Sequence, residues 1–149
     1  MPYPEMLIAP MRGELTAIGA RELKSAAAVD EQINASGTVL LVVNSVCGCA
    51  AGKARPGVTL ALRHANKPDT LATVFAGADI EATARARERM APYPPSSPSI
   101  GLFKDGKLVW MMERREIEGQ DAHAIADHLT AAFDRFCAAP RETAKSPVM

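Results

Sequence analysis

The chain has 149 residues, with 17 Lys plus Arg against 17 Asp plus Glu and a pI near 6.8, so its formal charge is zero. That length argues for one domain spanning residues 1–149, and the balanced charge argues against nucleic acid as a partner, because binding phosphates takes a concentrated basic surface. With 48% hydrophobic and 23% charged residues, the composition is that of a globular chain and excludes a disordered one.

Residues 1–9 and 139–149, where prolines recur without periodicity, are expected to be loose ends. From 14 to 33 the spaced apolar residues Leu15, Ile18, Leu23, Val29 and Ile33 predict helical pieces broken at Gly19. Gly37 then opens Thr38-Val39-Leu40-Leu41-Val42-Val43, β-branched and apolar on both faces, as a central strand covered by helices requires. This is also the longest strongly apolar stretch, far short of the roughly 20 residues that cross a bilayer, so no membrane partner is expected. Residues 47–64 follow as a helix kinked at Pro56, whose ring removes a donor and presses on the Gly52 carbonyl.

Residues 70–76 form the next strand, closed by Gly77, and Asp79 is placed to cap a helix over 80–90 with its carboxylate. After a proline-rich loop over 92–98, strands at 99–104 and 107–112 flank Asp105-Gly106, a two-residue hairpin turn. A last helix over 121–137 sets Ile125, Leu129, Phe133, Phe136 and Cys137 along one apolar stripe. The order predicts an α/β fold, a central mixed sheet of about four to five strands with helices on both faces.

Chemistry concentrates at Cys47-Gly48-Cys49, just past the carboxyl end of the central strand and at the start of a helix. Reactive groups of open α/β sheets gather at strand carboxyl ends. The free amides and dipole of a helix start favour a thiolate, which is the attacking species in disulfide exchange. Cys47, nearest those amides, is the expected nucleophile, and Cys49 the expected resolving thiol. A bridge across one residue closes a small ring that Gly48 tolerates, and its strain predicts an oxidising potential suited to transfer or isomerisation. Lys53 and Arg55, further along, read as a solvated helix face, with added positive potential as the alternative.

Two competing readings of the pair are a couple of small buried hydrophobes and half of a metal site completed by His64, His123, His128 or Cys137. Without a second paired-ligand motif, no metal is expected. Cys137 reads as a buried core thiol, and His123 and His128 as surface or boundary residues. No secretory signal is visible at the N-terminus, so the expected location is the cytoplasm, where closely spaced cysteines serve redox or metal chemistry. A cis peptide before Pro98 would mark a functional loop, although sequence does not show the isomer.

In the blocks 42–56 around Cys-Gly-Cys, Val74-Phe75-Ala76-Gly77, Pro95-Ser96-Ser97-Pro98-Ser99, Glu116-Ile117-Glu118-Gly119 and 129–134, the chain resembles the bacilliredoxin family of thioredoxin-like proteins. The likeness runs from Pro10 to Cys137. It implies a thioredoxin-like fold and a thiol-disulfide oxidoreductase that removes bacillithiol from mixed disulfides on other proteins. It also implies Cys47 as nucleophile, Cys49 as second cysteine, and Pro98, with Ser97 before it, as the cis-proline position that helps hold a substrate chain.

No bound cofactor is implied. The resemblance implies bacillithiol or another low-molecular-weight thiol as co-substrate and S-thiolated proteins as partners. Unlike thioredoxins, the chain has one residue between its cysteines and Val46 where a Trp would stand, so coupling to a thioredoxin reductase is not implied. Arg85, Arg87 and Arg89 are expected near the proline loop, where charge alone would let them meet the carboxylates of an acidic thiol. The alternatives are a protein disulfide isomerase using the same pair and, in a different class, a metal-binding or iron-sulfur delivery module. Oligomeric state is not legible.

Overall fold

The computed structural model describes residues 2–137. Its first helix, α1 (Glu5–Thr16), overturns the expectation of a loose start: Ile8 and Leu15 are fully buried, and Arg12 nearly so. One of its inward positions is a charged residue and Pro10 lies inside it, so its apolar periodicity is weak. The other expected loose end, 139–149, lies outside the described residues. The break expected at Gly19 is present, at φ +101°, which glycine adopts without a steric penalty. A short strand, β1 (Arg21–Glu22), then separates α1 from α2 (Ala26–Asn34), and the Ser25 hydroxyl caps α2 by accepting from the Ala28 amide at 3.0 Å.

Strand β2 (Thr38–Asn44) is buried along its whole length. With β3 (Thr70–Phe75), β4 (Ser99–Lys104) and β5 (Lys107–Met112) it completes a five-stranded sheet in the order β1-β3-β2-β4-β5. Strands β1, β3 and β2 run parallel, while β4 and β5 each pair antiparallel with their neighbours. The mixed sheet inferred from sequence is therefore present. The hairpin turns at Asp105 (φ +48°) and Gly106 (φ +86°), the positive pair that suits the twist of the strands.

Alternate residues of β2 point to opposite faces. Leu40 and Val42 pack beneath α3 (Arg55–Ala61) and α6 (Ala122–Phe136), with Val58, Ile125, Leu129 and Phe133. Val39, Leu41 and Val43 pack with α2 and α4 (Ile80–Arg89), against Val29, Ile33, Ala82 and Ala86. Each such aliphatic side chain stabilises the fold by roughly 1.5–3 kcal/mol when fully buried. Both faces of one strand thus hold the site's foundation.

The helix after β2 begins irregularly. Ala50–Ala54 forms a π-helical turn, closed by the Arg55 amide donating to the Ala50 carbonyl, and α3 continues with Pro56 in its first turn. The wide turn accommodates a residue whose missing amide cannot reach Gly52, so the distortion expected at Pro56 takes the form of a widening ahead of it.

Asp79 stands at the N-cap position of α4 but makes no capping bond, contrary to the sequence expectation. Its carboxylate instead accepts from Arg12 at 2.8 and 2.9 Å and from the Phe75 amide at 3.0 Å. A guanidinium pairing two N–H groups with one carboxylate outcompetes neutral amides. Burial pushes the Asp79 carboxyl up, but Arg12 and the Phe75 amide outweigh it and hold it below the ordinary aspartate range. Among the described residues no helix is long and apolar enough to cross a membrane.

Candidate active site

The site begins where β2 ends. Asn44 Oδ1 accepts from the Ser45 amide and from Arg55 Nη1, each at 2.8 Å, while its Nδ2 donates to the Met11 carbonyl at 3.2 Å. Arg55 also donates to the Ser45 carbonyl at 2.9 Å and, through Nε, to Glu14 at 2.7 Å. Being only 2% exposed, Arg55 does not lie on the solvated helix face expected from sequence. From the first position of α3 it points inward and clamps the strand end that carries the cysteines.

Ser45 Oγ accepts from the Cys47 amide at 3.2 Å, and the Cys47 carbonyl takes the amides of Ala50 and Ala51 at 3.0 and 3.2 Å, starting the helix. Both cysteines are half-buried and reduced. Burial pushes the Cys47 thiol up, yet the Ser45 hydroxyl, the amides of Ala50 and Cys49, and the charge of Arg114 together bring it below its ordinary value. Cys49 moves the other way: burial, the charge on Cys47 and the carboxylate of Glu118 push it up, and Arg114 only partly opposes them. Neighbouring thiols are thereby given opposite tendencies, one to ionise and one to keep its proton.

A short helix, α5 (Arg114–Glu118), frames the pair from the far side, its start fixed by reciprocal bonds between Glu113 and Glu116. Glu118 Oε2 accepts from Cys49 Sγ at 3.8 Å and from Arg114 Nε at 3.0 Å. Lys53 does reach the site, donating to the Glu118 backbone carbonyl at 2.7 Å. Arg114 extends the other way: its amide donates to Ser96 Oγ and its Nη1 to the Ser97 carbonyl, both at 3.3 Å.

Pro98 is buried and follows a cis peptide bond from Ser97; a second cis bond joins Ala91 to Pro92. Since Val43 pairs with Ser99, the residues before β4 lie beside those after β2. The proline loop and the cysteine turn therefore share one end of the sheet. Sequence reasoning singled out Cys47, Cys49, Ser97 and Pro98, read Arg55 as solvated, and passed over Ser45, Arg114 and the Glu118 side chain.

Two expectations are corrected. Arg85 and Arg89 pair with Asp30 on α2, and Arg89 also donates to Asn34 at 2.7 Å and to the Gly106 carbonyl, so these two residues of the arginine triplet tie helix to helix and do not serve the proline loop. Cys137 is half-buried at the C-cap of α6, packed against the core edge, with its thiol pushed up by burial. His64 is held by Asp134 at 2.8 Å, and among the described residues no group of three His, Cys, Asp or Glu side chains is disposed to hold a metal ion. A hollow of about 310 Å³ between β5 and α6, lined by Trp110, Gln120, His128 and Arg135, contains neither cysteine of the pair.

A family model described as disulphide isomerase matches residues 3–137. A bacilliredoxin of Koribacter versatilis is 54% identical over 92% of this chain and 95% of its own length. Another, from Cytophaga hutchinsonii, is 54% identical over 89% and 98%. A bacilliredoxin of Halalkalibacterium halodurans is 48% identical over 91% and 94%. Among solved structures, the thioredoxin of Fasciola hepatica superposes with a TM-score of 0.55 at 21% identity, covering 78% of this chain and 98% of that one. A thioredoxin of Malassezia sympodialis gives 0.53 at 15% identity, over 80% and 94%. At those identities the structures speak for the fold, while the long, high-identity matches speak for the family. The polarised cysteine turn at the end of a thioredoxin-like sheet is thus set in a chain that belongs to the bacilliredoxin family of thiol-disulfide oxidoreductases.

Proposed function

We propose that this protein removes bacillithiol, or a related low-molecular-weight thiol, from mixed disulfides on other proteins, with Cys47 as nucleophile and Cys49 as second cysteine. The observation that carries the reading is the contrast between the two thiols. Against burial, the Ser45 hydroxyl and two backbone amides bring the Cys47 thiol below its ordinary value, whereas burial, the charge on Cys47 and Glu118 push the Cys49 thiol above its own. Attack by the Cys47 thiolate on the mixed disulfide transfers the small thiol to Cys47 and releases the protein as its thiolate. Attack by Cys49 then expels the small thiol and leaves a Cys47–Cys49 disulfide, which an external thiol reduces. In this reading the loop at Ser97 and Pro98, which lies at the same end of the sheet, holds the substrate's backbone. The reaction uses the small thiol as co-substrate, needs no resident cofactor, and belongs in a reducing cytoplasm with S-thiolated proteins as partners.

A second reading, disulfide isomerisation by the same pair, is favoured by the description of the matching family model. In that scheme Cys47 alone shuffles bridges and Cys49 provides escape. Intact and peptide mass spectrometry after mixing reduced protein with a bacillithiolated test protein separates the two. Transfer leaves the target freed and an adduct on Cys47 or a Cys47–Cys49 bridge, and Cys49→Ser accumulates the adduct. A target that stays modified, with neither cysteine changed in mass, removes the transfer reading and leaves isomerisation to be tested on a scrambled disulfide protein.

A further inference from the structure

We propose that Glu118 is the proton acceptor for Cys49 when that thiol attacks the Cys47 mixed disulfide, a role that rests on the two-cysteine reading above. Cys49 Sγ lies 3.8 Å from Glu118 Oε2, within hydrogen-bond range for a sulfur donor. The carboxylate is held for the purpose from two directions. Arg114 Nε grips the same oxygen at 3.0 Å while its other end is anchored on the Ser97 carbonyl, and Lys53 fastens the Glu118 backbone to the π-helical turn at 2.7 Å. Helix α5 is too short to be rigid alone, and these bonds with the Glu113–Glu116 box fix its end over the cysteines.

In the resolving step a bond forms between Cys49 Sγ and Cys47 Sγ. The bond from Cys47 Sγ to the small thiol breaks, with its electron pair departing on that thiol's sulfur. The Cys49 proton passes to Glu118 Oε2 and from there to solvent. The mixed disulfide is reduced as the pair is oxidised, so no further oxidant enters. The arrangement also orders the steps. While Cys47 is a thiolate, its charge and that of Glu118 both keep the proton on Cys49; conversion of Cys47 to a neutral mixed disulfide removes one of those charges and frees Cys49 to ionise.

The test follows thionitrobenzoate release from excess dithiobis(nitrobenzoate) by stopped flow, in full-length protein carrying Cys137→Ala so that only the pair reports. The first, bimolecular phase reads attack by Cys47, and the second, unimolecular phase reads attack by Cys49, confirmed by its absence in Cys49→Ser. Glu118→Gln, which retains an acceptor for Arg114, is expected to leave the first phase within about twofold and to slow the second about 10- to 100-fold near neutral pH, in the range of a lost general base. The deficit is expected to close above about pH 9, where a thiol ionises unaided, and Glu118→Asp to recover part of the rate. A second phase unchanged in Glu118→Gln, a slowing that persists undiminished at high pH, or an equal slowing of both phases overturns the proposal. Wild-type protein that shows no second phase overturns the two-cysteine reading itself, and the proposal with it.

Discussion

Arg55→Met removes the clamp between α1, the end of β2 and the cysteine turn while preserving an unbranched stem of similar volume. Breaking a buried charged pair by deleting one member typically costs about 3–5 kcal/mol. Here the abandoned partners are not equally stranded. Glu14 is half exposed and rehydrates, and Asn44 Oδ1 keeps the Ser45 amide at 2.8 Å, so the Ser45 carbonyl is the group left without its donor. An orphaned buried acceptor costs about 1–3 kcal/mol, and with the lost charge-assisted bond to Asn44 the expected destabilisation is about 2–3 kcal/mol. For a chain of this size that lowers Tm by roughly 4–12 °C. Urea unfolding of the reduced protein at neutral pH measures the loss, with Glu14→Gln as the companion variant, expected to lose less than about 1 kcal/mol because its carboxylate is exposed. If Arg55→Met loses under about 0.5 kcal/mol, or Glu14→Gln loses as much as Arg55→Met, the clamp is not what organises this strand end.

Further expectations follow from other contacts. Ser45→Ala removes a bond that favours the Cys47 thiolate, so the alkylation midpoint, below the ordinary thiol value in wild type, moves up; iodoacetamide reaction between pH 6 and 7 should slow on the order of 10-fold, with rates converging at high pH. Because Asp79 is held below its unfolded value, its stabilisation is complete above the ordinary aspartate range, about pH 4, and is lost as pH falls through the folded value. Asp79→Asn should therefore be less stable at neutral pH, with a shallower acid limb in urea midpoints; parallel limbs would contradict the pairing with Arg12. A Cβ on Gly57 would sit 2.6 Å from Ile125 Cγ2 and 3.3 Å from the Ala122 carbonyl, so Gly57→Ala should destabilise the α3–α6 contact by about 1–3 kcal/mol, read as a Tm shift. Replacing Arg85 and Arg89 together with Gln should leave turnover of an anionic mixed disulfide unchanged while loosening α2 from α4.

The elements that sequence made legible are those whose local pattern agrees with their burial. Strand β2, apolar on both faces, and the Asp-Gly hairpin between β4 and β5 state their geometry in consecutive residues. Cys-Gly-Cys and the proline loop were visible for the same reason. What stayed hidden depends on contacts between distant segments. Arg12 interrupts the apolar face of α1, yet it is buried because Glu5, Glu22 and Asp79 surround it. The cap expected from Asp79 lost to that guanidinium, which lies 67 positions earlier in the chain. Arg55 looked solvated because a lone charge near a helix start reads as surface, and the partners that bury it, Asn44 and Ser45, lie 11 and 10 positions earlier. Glu118 sat inside a block that drew notice as a motif, but nothing local ties its carboxylate to Cys49, 69 positions away.

The wide turn at Ala50–Ala54 also makes chain length a determinant of the chemistry. A π-helical turn is equivalent to one extra residue spliced into an α-helix, and each residue advances an α-helix by about 100°. Because the wide turn rotates less per residue, it absorbs the extra residue and leaves the cysteines in register with the face of α3 that packs on α6, whereas one residue added with regular helical bonding would swing them about 100° away from it. A graft of the whole segment onto another thioredoxin-like scaffold therefore keeps the aim of the thiols only if the wide bonding forms there along with the extra residue.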